Sequence, residues 1–110
     1  MGQVTITVNN CSNGTITMTN NGNATVETGD FVLWNVTGNT INSIAIYQVT
    51  GAGESNIWSS LPAPFPNTTS KNWRGTIGDT GDIHEDYTIN AVCNGKTLSH
   101  DPRISVNPKK

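Results

Sequence analysis

The sequence predicts an all-β fold, a single antiparallel Greek-key β-sandwich of about seven or eight strands. Apolar and polar residues alternate with a period of two in many short segments, and no segment has the period of a helix. Asn-Gly and Gly-Asp pairs, which favour tight turns, separate these segments. The chain of 110 residues has the size of one domain, so residues 1–110 are assigned to a single β-sandwich domain.

The predicted strands follow the alternating segments in chain order. They cover residues 4–8, 15–19, 24–28, 31–36, 41–49, 73–77, 85–93 and 103–106. The Asn21-Gly22 and Asn94-Gly95 pairs supply turns, and Gly29-Asp30 connects the third strand to the fourth. Residues 50–72 are predicted to form a long loop, because Gly and Pro are frequent there.

The composition excludes two classes of partner. Only 13% of the residues are charged, compared with about 25% in an ordinary soluble domain. Asn and Thr supply the polarity instead, at 15 and 16 residues. Six Lys and Arg against eight Asp and Glu give a net charge of −2, which leaves no basic patch for a phosphate backbone. No apolar run approaches about 18 residues, so neither nucleic acid nor a membrane span is expected.

Two cysteines, Cys11 and Cys93, are candidates for one disulfide in an oxidising compartment or for two thiols in a reducing one. Neither belongs to a Cys-x-x-Cys pair, so a thioredoxin-type or zinc-knuckle site is not expected. No charged segment followed by an apolar one precedes the first strand, so no signal peptide is expected in the chain as given. The localisation stays open, with a secreted or cell-surface protein favoured.

Two parts of the chain carry a resemblance to a known family. The first reads ATVETGDFVLWNV from Ala24 to Val36 and continues at Asn42–Ile46. The second comprises Trp73–Ile77, Tyr87–Cys93, a loop with His100, and Ile104–Val106. A strand, a Gly-Asp turn and a second strand of this kind resemble the cupredoxin β-sandwich, and the match covers about residues 15–107 in order. The resemblance implies a cupredoxin-like fold that, in the family, holds copper.

The ligands of that copper site do not all have counterparts in this chain. A type 1 copper site uses two His nitrogens, one Cys thiolate and an axial ligand that is commonly Met. The resemblance places Cys93 at the Cys position and His100 at the second His position. The first His position falls on or near Asn42, and no Met stands at the axial position. The scaffold is therefore expected without a complete copper site, and copper bound by Cys93, His100 and His84 is kept as an alternative.

Other combinations of reactive residues do not predict an enzyme. The run Ser99-His100-Asp101 has the residue types of a catalytic triad, but neighbours in an extended chain point to opposite faces and cannot form one. The acidic residues Asp79, Asp82, Glu85 and Asp86 have oxygens suited to calcium, but their spacing is not that of an EF-hand. A solvated acidic hairpin is the favoured interpretation. No catalytic residue is assigned.

The aromatic residues in or beside the long loop are the candidate ligand-binding residues. They are Tyr47, Trp58, Phe65 and Trp73. Exposed aromatic rings among Asn, Gln and Thr can stack on sugar rings and hydrogen-bond their hydroxyl groups. The alternative is that Trp58 and Phe65 attach the Pro-rich loop to the sandwich and bind nothing.

The strand at residues 31–36 presents apolar side chains on both faces. Trp34 shares one face with Val32 and is predicted to lie in the core, while Phe31 and Leu33 lie on the other and need a cover from the long loop or a second chain. The sequence thus predicts a non-catalytic binding or structural module whose ligand is a glycan or a protein surface. The alternatives are a copper-binding electron-transfer protein and a subunit of a homo-oligomeric assembly.

Overall fold

The structure is a computed structural model that describes residues 2–12, 14–38, 40–48, 57–68, 70–78 and 83–107. These residues form two packed β-sheets, which confirms the predicted all-β, sandwich-like fold. The strands in these ranges are β1 (Gln3–Ser12), β2 (Thr15–Met18), β3 (Ala24–Glu27), β4 (Phe31–Val36), β5 (Ile41–Gln48), β6 (Trp58–Pro64), β7 (Trp73–Ile77), β8 (Ile83–Cys93), β9 (Lys96–His100) and β10 (Arg103–Asn107). Over the same ranges, no helix is both long enough and apolar enough to cross a membrane.

Both sheets have mixed strand directions. The first sheet has the order β2-β1-β4-β7-β6, and the second has the order β3-β10-β8-β5 with β9 also paired to β8. Most neighbouring strands are antiparallel, but β1 is parallel to β4 and β3 is parallel to β10. The sequence predicted antiparallel pairing throughout. Alternation fixes which side chains face inward, but it is the same for both strand directions, so it does not distinguish them.

Two strands, β6 and β9, were not predicted, which is why the described residues hold ten strands rather than seven or eight. Strand β6 lies inside the predicted loop at residues 50–72 and contains Pro62 and Pro64. It is an edge strand, where a missing backbone N–H is tolerated. Strand β9 pairs only with β8 and has one half-buried residue, Leu98, between exposed neighbours. Because β6 buries only its first residue, Trp58, and β9 buries none, neither shows the alternation on which the prediction depends.

The core lies between the inner faces of the two sheets. Strand β4 buries Val32 and Trp34 and leaves Phe31 and Leu33 half-buried on its outer face. The prediction that Trp34 lies in the core is confirmed. Its ring centroid lies 5.3 Å from that of Tyr87 on the opposite sheet. Each large apolar side chain buried in this way contributes about 1.5–3 kcal/mol to stability.

The turn between β2 and β3 requires glycine at position 22. Asn20, Asn21 and Gly22 have φ angles of 50°, 55° and 83°, the left-handed region that Asn and Gly adopt most readily. A Cβ atom at Gly22 would lie 2.7 Å from Cγ of Pro102 and 2.9 Å from the hydroxyl oxygen of Tyr87. The Asn-Gly turn predicted here is confirmed, and it brings the backbone of Gly22 against the buried Tyr87.

Cys11 and Cys93 bring their sulfur atoms to disulfide-bond distance, with their Cα atoms 6.3 Å apart. Cys11 lies near the end of β1 in the first sheet, and Cys93 ends β8 in the second. The link therefore joins the two sheets. Of the two alternatives that the sequence left open, the structure supports one disulfide rather than two separate thiols.

Candidate functional site

The four aromatic residues predicted to bind a ligand do not share one surface. Tyr47 is 53% exposed on the outer face of the second sheet. Trp58 is buried on the inner face of the first sheet, and the half-buried Trp73 packs against the core. Phe65 follows β6 and lies beside Arg74 of β7. Of the four residues, Phe65 is thus the one that combines partial exposure with a position on the first sheet's outer surface.

Trp58 is held in place by contacts with the protein interior. Its indole Nε1 donates a hydrogen bond of 2.5 Å to Glu85 Oε1, and Gln48 Nε2 donates one of 3.0 Å to Glu85 Oε2. Its ring packs against Gly75, where a Cβ would lie 2.6 Å from the indole. These contacts support the alternative interpretation of Trp58, in which it attaches its chain segment to the sandwich.

The outer face of the first sheet is centred on Arg74. Its guanidinium carbon lies 4.4 Å from the centroid of the Phe31 ring and 3.9 Å from that of Phe65. Strand β7, which carries Arg74, runs between β4 and β6. Phe31 pairs with Thr76, and the Phe65 N–H donates to the Asn72 carbonyl, so the two rings lie diagonally on either side of Arg74. We call this arrangement the Phe31–Arg74–Phe65 stack.

Small polar side chains without charge surround the stack. They are Gln3, Thr5 and Thr7 of β1, Asn35 of β4 and Thr76 of β7. Leu33 lies between Thr5 and Arg74 in the register of the sheet and is half-buried. The outer face thus has an aromatic and cationic centre and a rim of hydroxyl and amide groups.

Part of the cover that Phe31 needs comes from the chain itself. Arg74 packs on the Phe31 ring, and Phe65, which lies in the segment predicted as a long loop, packs on Arg74. Of the two covers expected from the sequence, the long loop and a second chain, these contacts belong to the first.

The guanidinium of Arg74 makes no hydrogen bond or ion pair with any residue that the structure describes. Two other basic side chains do form polar contacts. Arg103 pairs with Asp86 at 2.8 Å, and Lys71 Nζ donates to a backbone carbonyl at 3.0 Å. Over the same residues, Thr28 Oγ1 is the one buried polar side-chain atom without a partner. The Arg74 nitrogens also lack a partner but are not among the buried atoms, so they are in contact with solvent.

Two of the three residues of the copper alternative, Cys93 and His100, have side-chain partners elsewhere. The sulfur of Cys93 is at bonding distance from that of Cys11, so it is not a free thiolate. His100 Nε2 lies 3.0 Å from the carbonyl oxygen of Asn21, and the exposed His84 pairs with β10 through its backbone. The described residues contain no group of three or more His, Cys, Asp or Glu side chains arranged for a metal ion.

The acidic cluster divides between the two faces of β8. Glu85 is 1% exposed and points into the core, so the interpretation of a solvated hairpin is wrong for this residue. Asp86 points outward, and the hydrogen bond from Arg103 holds the pKa of its carboxyl below the usual value. Asp79 and Asp82 lie outside the described residues.

The side chains of the Ser99-His100-Asp101 run have separate partners. The Ser99 hydroxyl donates to Asn90 Oδ1, and the Asp101 carboxylate accepts a hydrogen bond of 2.8 Å from the Thr88 hydroxyl. Because neighbouring residues of an extended chain point in opposite directions, His100 faces away from Ser99 and Asp101, and the three groups do not converge.

Tyr87 forms a buried hydrogen-bonded chain across the core. Trp34 Nε1 donates to the Tyr87 hydroxyl at 3.1 Å, and that hydroxyl donates to the Gly22 carbonyl at 2.5 Å. Burial disfavours the phenolate, and it raises the pKa of Tyr87 far above the ordinary value of 10.0. The native protein therefore keeps a proton on Tyr87 at a pH where the unfolded chain has lost it.

We expect the stability of the protein to fall as the pH rises above about 10, by up to about 1.4 kcal/mol per pH unit from Tyr87 alone. Below that value, Tyr87 is neutral in both states and contributes no slope. Urea unfolding between pH 8 and pH 11 measures the effect. Tyr87→Phe should remove this part of the slope, whereas Tyr47→Phe, which alters an exposed tyrosine, should leave it unchanged. Equal slopes in the two variants would contradict the prediction.

The comparisons with known proteins give no family for this chain. A scan against protein-family models finds no match, and a search of curated proteins finds no match at a significant level. The chemistry of the outer face of the first sheet is therefore the basis for assigning a function.

Proposed function

We propose that this chain is a non-catalytic binding module on a cupredoxin-like, Greek-key sandwich without a complete copper site, and that its ligand is a glycan. The order of β3, the Gly29-Asp30 turn and β4 is the one that the resemblance implies, which supports the scaffold. Binding is favoured over catalysis because the reactive groups are engaged. The two cysteines lie at bonding distance from each other, and Glu85 accepts hydrogen bonds from Trp58 and Gln48.

The Phe31–Arg74–Phe65 stack is the observation that carries this proposal. Phe31 and Phe65 are both half-buried residues, so each keeps part of its surface exposed. A sugar ring has an apolar C–H face that packs on aromatic rings and hydroxyl groups that bond to polar neighbours such as Thr5 and Asn35. Contact with Arg74 restrains both rings in the free protein, so less conformational entropy is lost when a ligand binds.

A glycan panel followed by calorimetry on the best binder tests the proposal. We expect Phe65→Ala to weaken binding by about tenfold or more, as loss of a central aromatic contact does. Tyr47→Ala is the matched control, because it removes an exposed aromatic ring from the outer face of the other sheet. Its affinity should equal that of the wild type.

Unfolding curves of both variants are needed to show that the sandwich is intact. Loss of binding in Tyr47→Ala with full binding in Phe65→Ala would place the ligand on the second sheet and contradict the proposed face. A wild-type protein that binds no glycan of the panel would contradict the proposed ligand class. Sedimentation velocity over a range of protein concentrations would then show whether a second copy of the chain covers the face.

A further inference from the structure

We infer that the ligand of the outer face carries a carboxylate, as uronic acids do, and that Arg74 binds this carboxylate. The inference rests on the proposed function, because it names the class of glycan that the same face takes. It starts from the hydrogen-bond donors of Arg74, which have no acceptor among the described residues.

The position of the two rings determines how a ligand can reach Arg74. The central carbon of the guanidinium lies 4.4 Å from the centroid of the Phe31 ring and 3.9 Å from that of the Phe65 ring. A guanidinium has its five N–H donors in its own plane, and aromatic rings stack on its faces. Both rings contact the group at its central carbon, which leaves its edge, with its donors, for a ligand. The solvent contact of the Arg74 nitrogens agrees with this arrangement.

The carboxylates of Asp30, Asp86 and Glu85 do not balance the charge of Arg74, because each of them has other partners. Asp30 accepts hydrogen bonds from the backbone N–H groups of Gly2 and Glu27, Asp86 pairs with Arg103, and Glu85 is buried with Trp58. A half-buried cation is less well screened than one in bulk water. An anionic ligand at the edge of Arg74 would form charge-assisted hydrogen bonds, which are stronger than those of a neutral hydroxyl.

A sugar ring with a carboxylate can contact all three kinds of group on this face, which are the guanidinium, the aromatic rings and the hydroxyl groups. Its two oxygens lie in one plane and match the parallel donors of the guanidinium. The ring that carries it has an apolar face for Phe31 or Phe65 and hydroxyl groups for Thr5 and Thr76. A neutral glycan would leave the strongest donor of the face without its best acceptor.

Binding of short oligomers of galacturonate, glucuronate and mannuronate, compared with their methyl esters, tests the inference. The ester keeps the ring and its hydroxyl groups and removes the charge. We expect at least one acid to bind the wild type about tenfold or more tightly than its ester, with an affinity that falls as salt is added. Arg74→Gln should lose this preference because it removes the charge, and Arg74→Lys should lose most of it because lysine keeps the charge but lacks the planar fork for both carboxylate oxygens. Arg103→Lys is the control on the other sheet and should keep it.

An NMR titration of the wild-type protein tests the inference without depending on how well the variants fold. The Nε–Hε signal of Arg74 should shift on titration with the acid and stay in place with the ester. Equal affinities for acid and ester, both reduced by Phe65→Ala, would overturn the carboxylate inference and leave the proposed function standing. Tighter binding of a sulfated oligosaccharide than of any uronate would also overturn it. No binding of acid or ester would overturn the inference, and the glycan panel then decides separately whether the proposed glycan ligand stands.

Discussion

Removal of the link between Cys11 and Cys93 is expected to lower the free energy of unfolding by about 4 kcal/mol. The two residues are 82 positions apart, so the link closes a loop that includes most of the chain. Such a loop strongly restricts the unfolded chain, and the restriction grows with loop length. In the native state, the link ties the end of β1 in the first sheet to the end of β8 in the second.

Urea unfolding of the wild type with and without a reductant measures this effect, and the double variant Cys11→Ala/Cys93→Ala provides a second route. Alanine is chosen because Cys93 is buried, and a serine hydroxyl there would add an unrelated cost. The reduced wild type and the double variant should lose similar stability, and the double variant should not respond to reductant. A change of less than about 1 kcal/mol on reduction would contradict the prediction.

Strands with one buried face could be predicted from the sequence, and strands without one could not. The bounds of β4 and β7 agree with the predicted residues 31–36 and 73–77. Strand β7 has apolar residues at its two ends with Arg and Thr between them, and β4 is a nearly continuous apolar run that follows a Gly-Asp turn, so both have a recognisable strand pattern. Apart from Trp58 at the start of β6, strands β6 and β9 are held mainly by backbone pairing at one edge each, and that pairing requires no particular side chains. Composition therefore gives no signal for them.

The stack on the outer face depends on strand pairing, which alternation does not specify. Arg74 stands next to Trp73 in the sequence, and nothing local distinguishes it from a solvated strand arginine. It meets Phe31 and Phe65 only because β7 lies between β4 and β6. The sequence singled out Phe31 as needing a cover and Phe65 as a ligand-binding candidate, but it held no signal that one arginine contacts both.

Glu85 is different, because a signal for its burial was present. It has the same parity in β8 as Tyr87, Ile89 and Ala91, and all of these residues point into the core. Period-two alternation alone therefore places Glu85 inward. The neighbouring acidic residues masked this signal, since a run of acids is usually solvated. The partners that make burial of a carboxylate tolerable, Trp58 and Gln48, come from distant strands and were not predictable.

Glu85→Ala is expected to lower the free energy of unfolding by about 3 kcal/mol. The carboxylate accepts hydrogen bonds from Trp58 Nε1 and Gln48 Nε2 and is 1% exposed. Its removal withdraws an acceptor from a buried indole N–H and leaves a cavity in the core. Asp86→Ala is the matched control, because this carboxylate is the next residue on the same strand but points outward. Its pair with Arg103 is largely exposed and contributes about 1 kcal/mol or less.

Glu85→Gln separates the shape of the side chain from its charge. A glutamine can accept the hydrogen bond from Trp58 with its amide oxygen, and the amide of Gln48 can turn to accept one from the new NH₂ group. We therefore expect a loss of about 1 kcal/mol, well below that of the alanine variant. Urea unfolding of the three variants under one condition gives the comparison.

A result in which Glu85→Ala costs no more than Asp86→Ala would mean that the buried carboxylate contributes nothing beyond a surface pair. If Glu85→Ala instead has the expected cost, Trp58→Phe identifies where the stabilisation comes from. It removes the indole N–H and keeps a ring against Gly75, the residue that follows Arg74 on β7. In a double-mutant cycle with Glu85→Ala, a coupling energy of about 1 kcal/mol or more is expected for two groups in direct contact. Coupling of that size would show that the hydrogen bond between Glu85 and Trp58 holds β6 on the sandwich. The Trp58 ring packs against β7 at Gly75, so this hydrogen bond also lies close to the strand that carries Arg74.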